Sequence, residues 1–214
     1  MADSPHLNIT LDEVDVQPHL QPVLETSAQF HHHLCPRQVL GVRIGLAGLR
    51  ELGFTVPVRQ KKLLVMVETD GCFVSGVQAA TGCSVNRRTL RVVDIGRIGV
   101  TFVNVRTEEA VRIAPRTDVR QRSARFVPPV TDNRRGRYIA MLEAYQVMPD
   151  DEVMTVERVK LSRPVREIVS RPFIRVDCSV CGEEIINERE VMIDGRPVCL
   201  PCAGQGYYQV ESKE

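Results

Sequence analysis

The chain has 214 residues, of which 43% are hydrophobic, and its 28 basic and 27 acidic residues leave a formal net charge of +1. This balance excludes a global electrostatic attraction to nucleic acid or to a membrane, and no apolar run approaches the roughly 20 residues of a membrane-spanning helix. The sequence has seven cysteines and no recognisable export signal. We therefore expect a cytoplasmic protein whose thiols stay reduced.

Hydrophobic periodicity predicts two helices in the first quarter of the chain. The first covers residues 20 to about 30, and the second covers residues 36–52, where Gly53 supplies a stop. Pro36 falls near the first position of the second helix, where its missing N–H costs nothing. This places Cys35 at the N-terminus of that helix.

The middle of the chain alternates predicted strands and helices. Strands are predicted at residues 63–68, 90–94, 98–103 and 153–161. Further helices are predicted at residues 72–81, from 107 to about 111, and at 137–147. We interpret the two strands that flank Gly96 as a hairpin. Together these elements predict an α+β core, with helices packed on a mainly antiparallel sheet.

The most specific motif consists of two Cys-x2-Cys pairs separated by seventeen residues: Cys178, Cys181, Cys199 and Cys202. Four thiolates at this spacing are typical of a closed tetrahedral zinc site. Between the pairs, Asp194-Gly195 predicts the tight turn of a hairpin, and residues 203–208 could begin a short helix. The order of knuckle, hairpin, knuckle and helix predicts a small treble-clef-like zinc finger. The alternative is two buried disulfides.

A second group of soft donors lies within the predicted core. It consists of His31, His32, His33, Cys35, Cys72 and Cys83. Imidazole and thiolate ligands suit zinc or another late transition metal. A thiol at a helix N-terminus beside imidazoles is favoured as thiolate, which makes Cys35 the candidate reactive or catalytic sulfur. The alternative is that the cysteines are small core residues and the histidines form a solvated helix end.

Several blocks of this sequence resemble the FmdE family, named after the FmdE component of formylmethanofuran dehydrogenase. The first is Phe30-His31-His32-His33-Leu34-Cys35-Pro36, followed by residues 39–43 and 49–53. The second runs from Val67-Glu68-Thr69-Asp70-Gly71-Cys72 to Gly82-Cys83, and residues 94–102 and 148–152 are also similar. The resemblance spans roughly residues 15–165, and the C-terminal finger is an accessory of some members.

The resemblance implies an α+β core, a homodimer and a metal-capable pocket near the histidine and cysteine block. By motif, the implied metal ligands of this pocket are His31, His33, Cys35 and Cys72, with Cys83 as a further candidate. The sequence departs from the family pattern in three places. His32 and Arg37 stand where the family usually has glycine, and Ser75 replaces an expected acidic residue.

We therefore divide the chain into an N-terminal extension (1–19), an FmdE-like core (20–165), a linker (166–172) and a four-cysteine zinc finger (173–214). The predicted function is an accessory or redox role in one-carbon, molybdenum- or tungsten-enzyme, or metal or pterin-cofactor metabolism. The predicted cofactors are zinc in the finger and a second transition metal in the core. A metalloenzyme or a small-molecule ligand is the predicted partner.

An arginine-rich stretch supports an alternative function. Eight arginines fall between residues 112 and 137: Arg112, Arg116, Arg120, Arg122, Arg125, Arg134, Arg135 and Arg137. Together with a zinc finger, such a stretch could bind phosphate or nucleic acid and serve a metal- or redox-sensing regulator. The simpler interpretation is a solvated surface balanced by acidic residues.

Overall fold

The computed structural model describes residues 7–30, 33–55 and 61–208 of the chain. It divides into two compact units, Met1–Lys160 and Leu161–Glu214. We describe the two units separately as the core unit and the C-terminal unit. None of the helices in the described residues is long and apolar enough to cross a membrane.

The core unit contains six helices within the described residues, together with a 3-10 turn at Leu11–Glu13. The helices are α1 (Gln21–Gln29), α2 (Pro36–Glu51), α3 (Cys72–Thr81), α4 (Val119–Ser123), α5 (Arg134–Val147) and α6 (Asp150–Val153). Helices at the predicted positions of α1, α2, α3 and α5 are confirmed. As predicted, Pro36 is the first residue of α2 and Cys35 is its N-cap.

Among its described residues, the core unit has a sheet of five strands in the order β2-β1-β3-β4-β5. The strands are β1 (Leu63–Val67), β2 (Leu90–Val92), β3 (Val100–Asn104), β4 (Ala110–Pro115) and β5 (Met154–Val159). β1 pairs with β2 in parallel, and the other three pairings are antiparallel. The predicted α+β fold with a mainly antiparallel sheet is therefore confirmed.

The predicted hairpin around Gly96 is wrong, because β1 lies between β2 and β3. β1 is apolar and almost entirely buried, so both of its edges need a strand partner. The connection from β2 to β3 instead passes over the end of β1. There the Val93 N–H donates to the Val67 carbonyl at 2.8 Å, and the Ile95 N–H donates to the Glu68 carbonyl at 3.1 Å.

The helix predicted from residue 107 is also wrong, because this segment is a turn followed by β4. The Asn104 side chain accepts from the N–H groups of Arg106 (3.1 Å) and Thr107 (3.3 Å), and Glu108 takes a left-handed φ of 60°. Such an Asx turn competes with helix formation. Pairing of the next residues with both β3 and β5 then outweighs the helical tendency of the acidic pair.

Helices α2 and α3 pack against each other through glycines on both sides. A Cβ on Gly41 would lie 2.3 Å from the Phe73 carbonyl oxygen, and one on Gly76 would lie 2.2 Å from the Gln38 carbonyl oxygen. Further along, a Cβ on Gly45 would meet Ala80. Because the contacts advance in the same direction on both helices, α2 and α3 are parallel and their N-termini lie at the same end.

The segment before α1, predicted to be an extension, packs on the core unit from residue 7 onward. Ile9 is fully buried and pairs with Leu34, whose N–H donates to the Ile9 carbonyl at 2.7 Å. The Gln146 side chain accepts from the Gln17 N–H (2.9 Å) and donates to the Asp15 carbonyl (3.1 Å). Residues 7–19 thus belong to the same core as the helices.

Arg43 connects two of the blocks on which the family resemblance rests. Its guanidinium is 11% exposed and donates to the carbonyls of Tyr145 (2.7 Å) and Met148 (2.8 Å) and to Asp150 Oδ1 (2.6 Å). Arg43 therefore satisfies carbonyls at the C-terminus of α5 that would otherwise lack partners. Residues 39–43 and 148–152 are linked by this contact.

As far as residue 208, where its described part ends, the C-terminal unit consists of one short helix, two hairpins and a final helical turn. These elements are α7 (Val165–Val169), β6 (Arg175–Asp177), β7 (Glu184–Ile186), β8 (Val191–Ile193), β9 (Arg196–Val198) and the turn Pro201–Gln205. The predicted hairpin turn is confirmed, with φ of 49° at Asp194 and 74° at Gly195. α7 lies partly within the predicted linker, and its Ile168 carbonyl accepts from Arg189 at 3.5 Å.

Candidate metal centres

The four cysteines of the C-terminal unit form one cluster. Their Sγ atoms all lie within 4.8 Å of one another, and within the described residues no other group of three or more His, Cys, Asp or Glu donors is this compact. All four are unbonded thiols, and they converge on one point instead of forming two separate pairs. This arrangement could hold a metal ion and does not match the alternative of two disulfides.

Local backbone geometry prepares this cluster for a cation. Hydrogen bonding from the N–H of Cys181, followed by that of Cys199, lowers the pKa of the Cys178 thiol to about 6. The Cys199 N–H lies 3.3 Å from Cys178 Sγ. In contrast, the neighbouring thiols raise the pKa of Cys202 to about 12. A metal ion bound by these sulfurs would displace the protons that the other thiols still hold at neutral pH.

The core unit brings two predicted site residues together at the N-termini of α2 and α3. Cys35 is the N-cap of α2, and Cys72 is the first residue of α3. Hydrogen bonding with Cys72 is the largest cause of a strongly raised pKa at Cys35, followed by burial. The close parallel packing of α2 and α3 through their glycines brings Cys35 and Cys72 together, although the two residues are distant in the sequence.

Tyr138 on α5 completes a cluster that sequence reasoning missed. Burial raises the pKa of the Tyr138 phenol, and the nearby Cys35 and Cys72 thiols raise it further. The Tyr138 side chain therefore lies beside both sulfurs. In the sequence, Tyr138 is only a tyrosine on the inward face of a predicted helix. The sequence does not show which other helices pack against that face.

The prediction that the N-terminus of α2 favours the Cys35 thiolate covers only one of the causes that set the pKa of Cys35. Backbone N–H groups of Gln38 and Arg37 do favour the Cys35 thiolate, but the Cys72 contact and burial outweigh them. Cys35 is 5% exposed, so an attacking reagent would have little access. Its catalytic role remains a prediction.

Gln38 fixes the position of Cys35. Its side-chain oxygen accepts from the Cys35 N–H at 2.8 Å, and its amide nitrogen donates to the Ser27 carbonyl at 3.1 Å. Gln38 is fully buried, and a buried amide with both ends satisfied has little freedom to move. Through Gln38, both α1 and α2 therefore fix the position of Cys35.

The remaining predicted ligands of the core site are placed differently. His31 lies outside the described residues. His33 is half-buried, but it does not form a compact three-ligand group with Cys35 and Cys72. Cys83 follows the end of α3 opposite to Cys72, about 15 Å away for a helix of this length. It is 3% exposed, burial raises its pKa, and its Sγ lies 3.9 Å from the Leu63 carbonyl oxygen, so Cys83 is a core residue in this structure.

The fold and these sites define an α+β protein with a four-cysteine cluster that could bind a metal ion. Residues 30–155 match the family model described as FmdE, molybdenum formylmethanofuran dehydrogenase operon. The match covers more than half of the 214 residues, and the chain belongs to the FmdE family.

One relative and one solved structure add to this comparison. The chain is 27% identical over 224 residues to a probable S-adenosyl-L-methionine-binding protein of Archaeoglobus fulgidus, with 93% of this chain and 57% of that protein covered. The chain thus spans little more than half the length of that relative. It also resembles the crystal structure of a tungsten formylmethanofuran dehydrogenase FmdE-like protein from Syntrophus aciditrophicus. That match has a TM-score of 0.54 and 18% identity, and it covers 88% of this chain and 94% of the other. This likeness supports the fold.

Proposed function

We propose that this chain is a cytoplasmic metal-binding protein with two metal sites and an accessory or redox role. The role would lie in one-carbon, molybdenum- or tungsten-enzyme, or metal or pterin-cofactor metabolism, beside a metalloenzyme or a small-molecule ligand. The observation that carries the proposal is the contact between Cys35 and Cys72, two thiols that are not part of the four-cysteine cluster. The operon named in the family description supports the metabolic setting.

The C-terminal site would hold zinc in a structural role. Four thiolates complete a tetrahedral zinc shell and leave no position open for chemistry. The small apolar cluster beside it contains Ile185, Val198 and the buried Cys178. A core of this size contributes little to folding, so the metal would supply most of the folding free energy of a treble-clef-like module.

The core site would bind a transition metal through Cys35 and Cys72, with a histidine of the preceding block as a further ligand. Two parallel helices direct the positive ends of their dipoles toward these sulfurs, which favours thiolate once a cation replaces the protons. The Tyr138 phenol lies beside both sulfurs and could donate a hydrogen bond to one of them. With fewer than four protein ligands, the ion would keep an exchangeable position.

Two cysteine variants of the full chain test the core site. Cys35→Ser should lower the metal content by one ion per chain, because the site loses one of its two sulfurs. Cys83→Ala removes an equally buried thiol from the same unit and should leave the metal content unchanged. Elemental analysis after reconstitution under reducing conditions gives both values. Equal metal content in the two variants would contradict the core site.

We also propose that the chain forms a symmetric homodimer, as the family resemblance implies and as is commonest among soluble oligomers. Multi-angle light scattering at micromolar concentration should give twice the 24.0 kDa mass of the chain. A mass of a single chain would contradict this proposal.

The alternative function is a zinc-finger regulator that binds nucleic acid. The arginine-rich stretch on which this alternative rests is largely neutralised by acidic side chains. Most of these arginines form ion pairs with acidic residues within the described part of the chain. The pairs are Arg112 with Glu68 and Glu157, Arg116 and Arg122 with Asp118, Arg122 and Arg125 with Glu152, Arg135 with Glu13, and Arg137 with Asp132. Salt-dependent retention of DNA or RNA by the purified chain would favour this alternative.

The archaeal relative supports a second candidate, binding of S-adenosyl-L-methionine. The observation in its favour is that the similarity extends over 93% of this chain. Saturable binding of radiolabelled S-adenosyl-L-methionine to the full chain in equilibrium dialysis would support it, and dialysis without retention would count against it.

A further inference from the structure

A cleft opens beside the first turn of α2, next to the thiol cluster. Its volume is about 380 Å³, and its walls come from α2, from the end of β4 and the following residues into α4, from α5, and from Ile98. Pro36, the residue after Cys35, lines one end. Concave sites of a few hundred Å³ with apolar walls and a few polar groups are typical of small-molecule binding.

The floor of the cleft is apolar and includes an aromatic ring. Leu40, Met141 and Tyr145 contribute to it, and Tyr145 is 1% exposed. Burial raises the pKa of Tyr145 to about 12, while the charge of Arg120 opposes this effect. The Arg120 guanidinium therefore lies close enough to the ring to influence it.

Three arginines, Arg37, Arg116 and Arg120, line the rim of this cleft. Within the described residues, the guanidinium groups of Arg37 and Arg120 make no ion pair or hydrogen bond. Arg116 has weak contacts, 3.4 Å from Asp118 Oδ1 and 3.5 Å from the Asp151 carbonyl. The neighbouring Arg122, in contrast, is held by Asp118 and Glu152.

The charge of the cleft is only partly compensated, because Asp118 pairs with Arg116 but not with Arg37 or Arg120. No acidic side chain is among the described residues that line it. Three guanidinium groups exceed what one carboxylate would neutralise, and planar guanidinium donors match the oxygens of a phosphate group. A dianionic ligand therefore complements the rim better than a monoanionic one.

One face of α5 contributes residues both to the cleft and to the thiol cluster. Tyr138, Met141 and Tyr145 are spaced three and four residues apart, which places them on one side of the helix. Tyr138 lies beside Cys35 and Cys72, and the other two residues line the cleft. The organic part of a ligand held at the arginine rim would therefore lie against Met141 and Tyr145, on the same face of α5 as Tyr138.

We infer that this cleft binds the phosphate monoester of a small apolar or aromatic compound, with Arg37 and Arg120 holding the phosphate and the floor holding the organic part. The inference goes beyond the proposed metal-binding function and does not depend on a metal at Cys35 and Cys72.

Isothermal titration of the full chain with phenyl phosphate tests the inference. Phenyl phosphate should bind more tightly than inorganic phosphate, which lacks the ring, and more tightly than benzoate, which carries one charge. The double substitution of Arg37→Ala with Arg120→Ala should weaken phenyl phosphate binding by about tenfold or more, because two charge-assisted contacts are lost. Both arginines are exposed, so the variant should fold with an unchanged melting temperature.

Arg125→Ala is the matched control, because Arg125 belongs to the same basic stretch but does not line the cleft. It should bind phenyl phosphate as the unsubstituted chain does. The inference is overturned if phenyl phosphate does not bind at millimolar concentration, if benzoate binds equally well, or if the control and the double variant lose affinity equally. The unsubstituted chain, the double variant and the control should have the same metal content. The outcome of this test is therefore independent of whether the core unit binds a metal.

Discussion

Replacing Cys178 with serine should remove one metal ion per chain and expose the C-terminal unit to protease, while the core unit stays folded. The apparent binding free energy of zinc in modules of this kind is on the order of 10 kcal/mol at neutral pH, and the cluster of Ile185 and Val198 is too small to replace it. The large core cluster consists of residues between Ile9 and Met154 and should not depend on this metal. Elemental analysis and limited proteolysis with mass spectrometry measure the two effects.

Ser179→Ala is the matched control for this substitution. Ser179 lies in the same knuckle, it is exposed, and it is held through the backbone, from its N–H to the Pro197 carbonyl at 2.9 Å. The control should keep its metal and its resistance to protease. Full metal content and full resistance in the Cys178→Ser protein would show that the four-cysteine cluster is not a structural metal site.

Gly76→Ala should destabilise the core unit by about 3 kcal/mol or more, at the upper end of the cost of overpacking a well-packed core. A Cβ at Gly76 would lie 2.2 Å from the Gln38 carbonyl oxygen and 2.7 Å from the Val42 nitrogen. Both are backbone atoms, so α2 and α3 must separate to make room. The gain of about 1 kcal/mol in helix propensity from glycine to alanine opposes this cost and does not cancel it. Urea unfolding followed by circular dichroism measures the change.

The control for this prediction is Ser75→Ala, one residue earlier in α3 and half-buried. It should change the free energy of unfolding by about 0.5 kcal/mol or less. If Gly76→Ala were as stable as the unsubstituted chain, the close parallel packing that brings Cys35 to Cys72 would be disproved.

The sequence predicts local elements well where capping and periodicity agree. Pro36 and Gly53 mark the limits of α2, and Gly82 with φ of 67° ends α3. The wrong predictions lie where distant pairing decides the outcome. β2 and β3 both pair with β1 and not with each other, and β4 forms where acidic residues predict a helix. Neither pairing partner is visible in a local window of sequence.

The two candidate sites also differ in how far the sequence alone identifies their residues. The four-cysteine cluster depends on a short spacing within one small unit, so the sequence alone identifies its members. The core cluster depends on how α2, α3 and α5 pack, and sequence reasoning includes Cys83 and omits Tyr138. The pKa of Cys35 illustrates the limit most clearly, because the helix N-terminus predicts a lowered value whereas the Cys72 contact and burial raise it.

The most direct test of the two-site proposal is the metal content of the Cys178→Ser protein after reconstitution under reducing conditions. Three cysteines of the C-terminal cluster remain in this variant, so metal that it retains is assigned to the core unit only if the added substitution Cys35→Ser removes it. We expect one metal ion per chain, held at Cys35 and Cys72. A metal-free Cys178→Ser protein that remains folded in its core unit would contradict the core site.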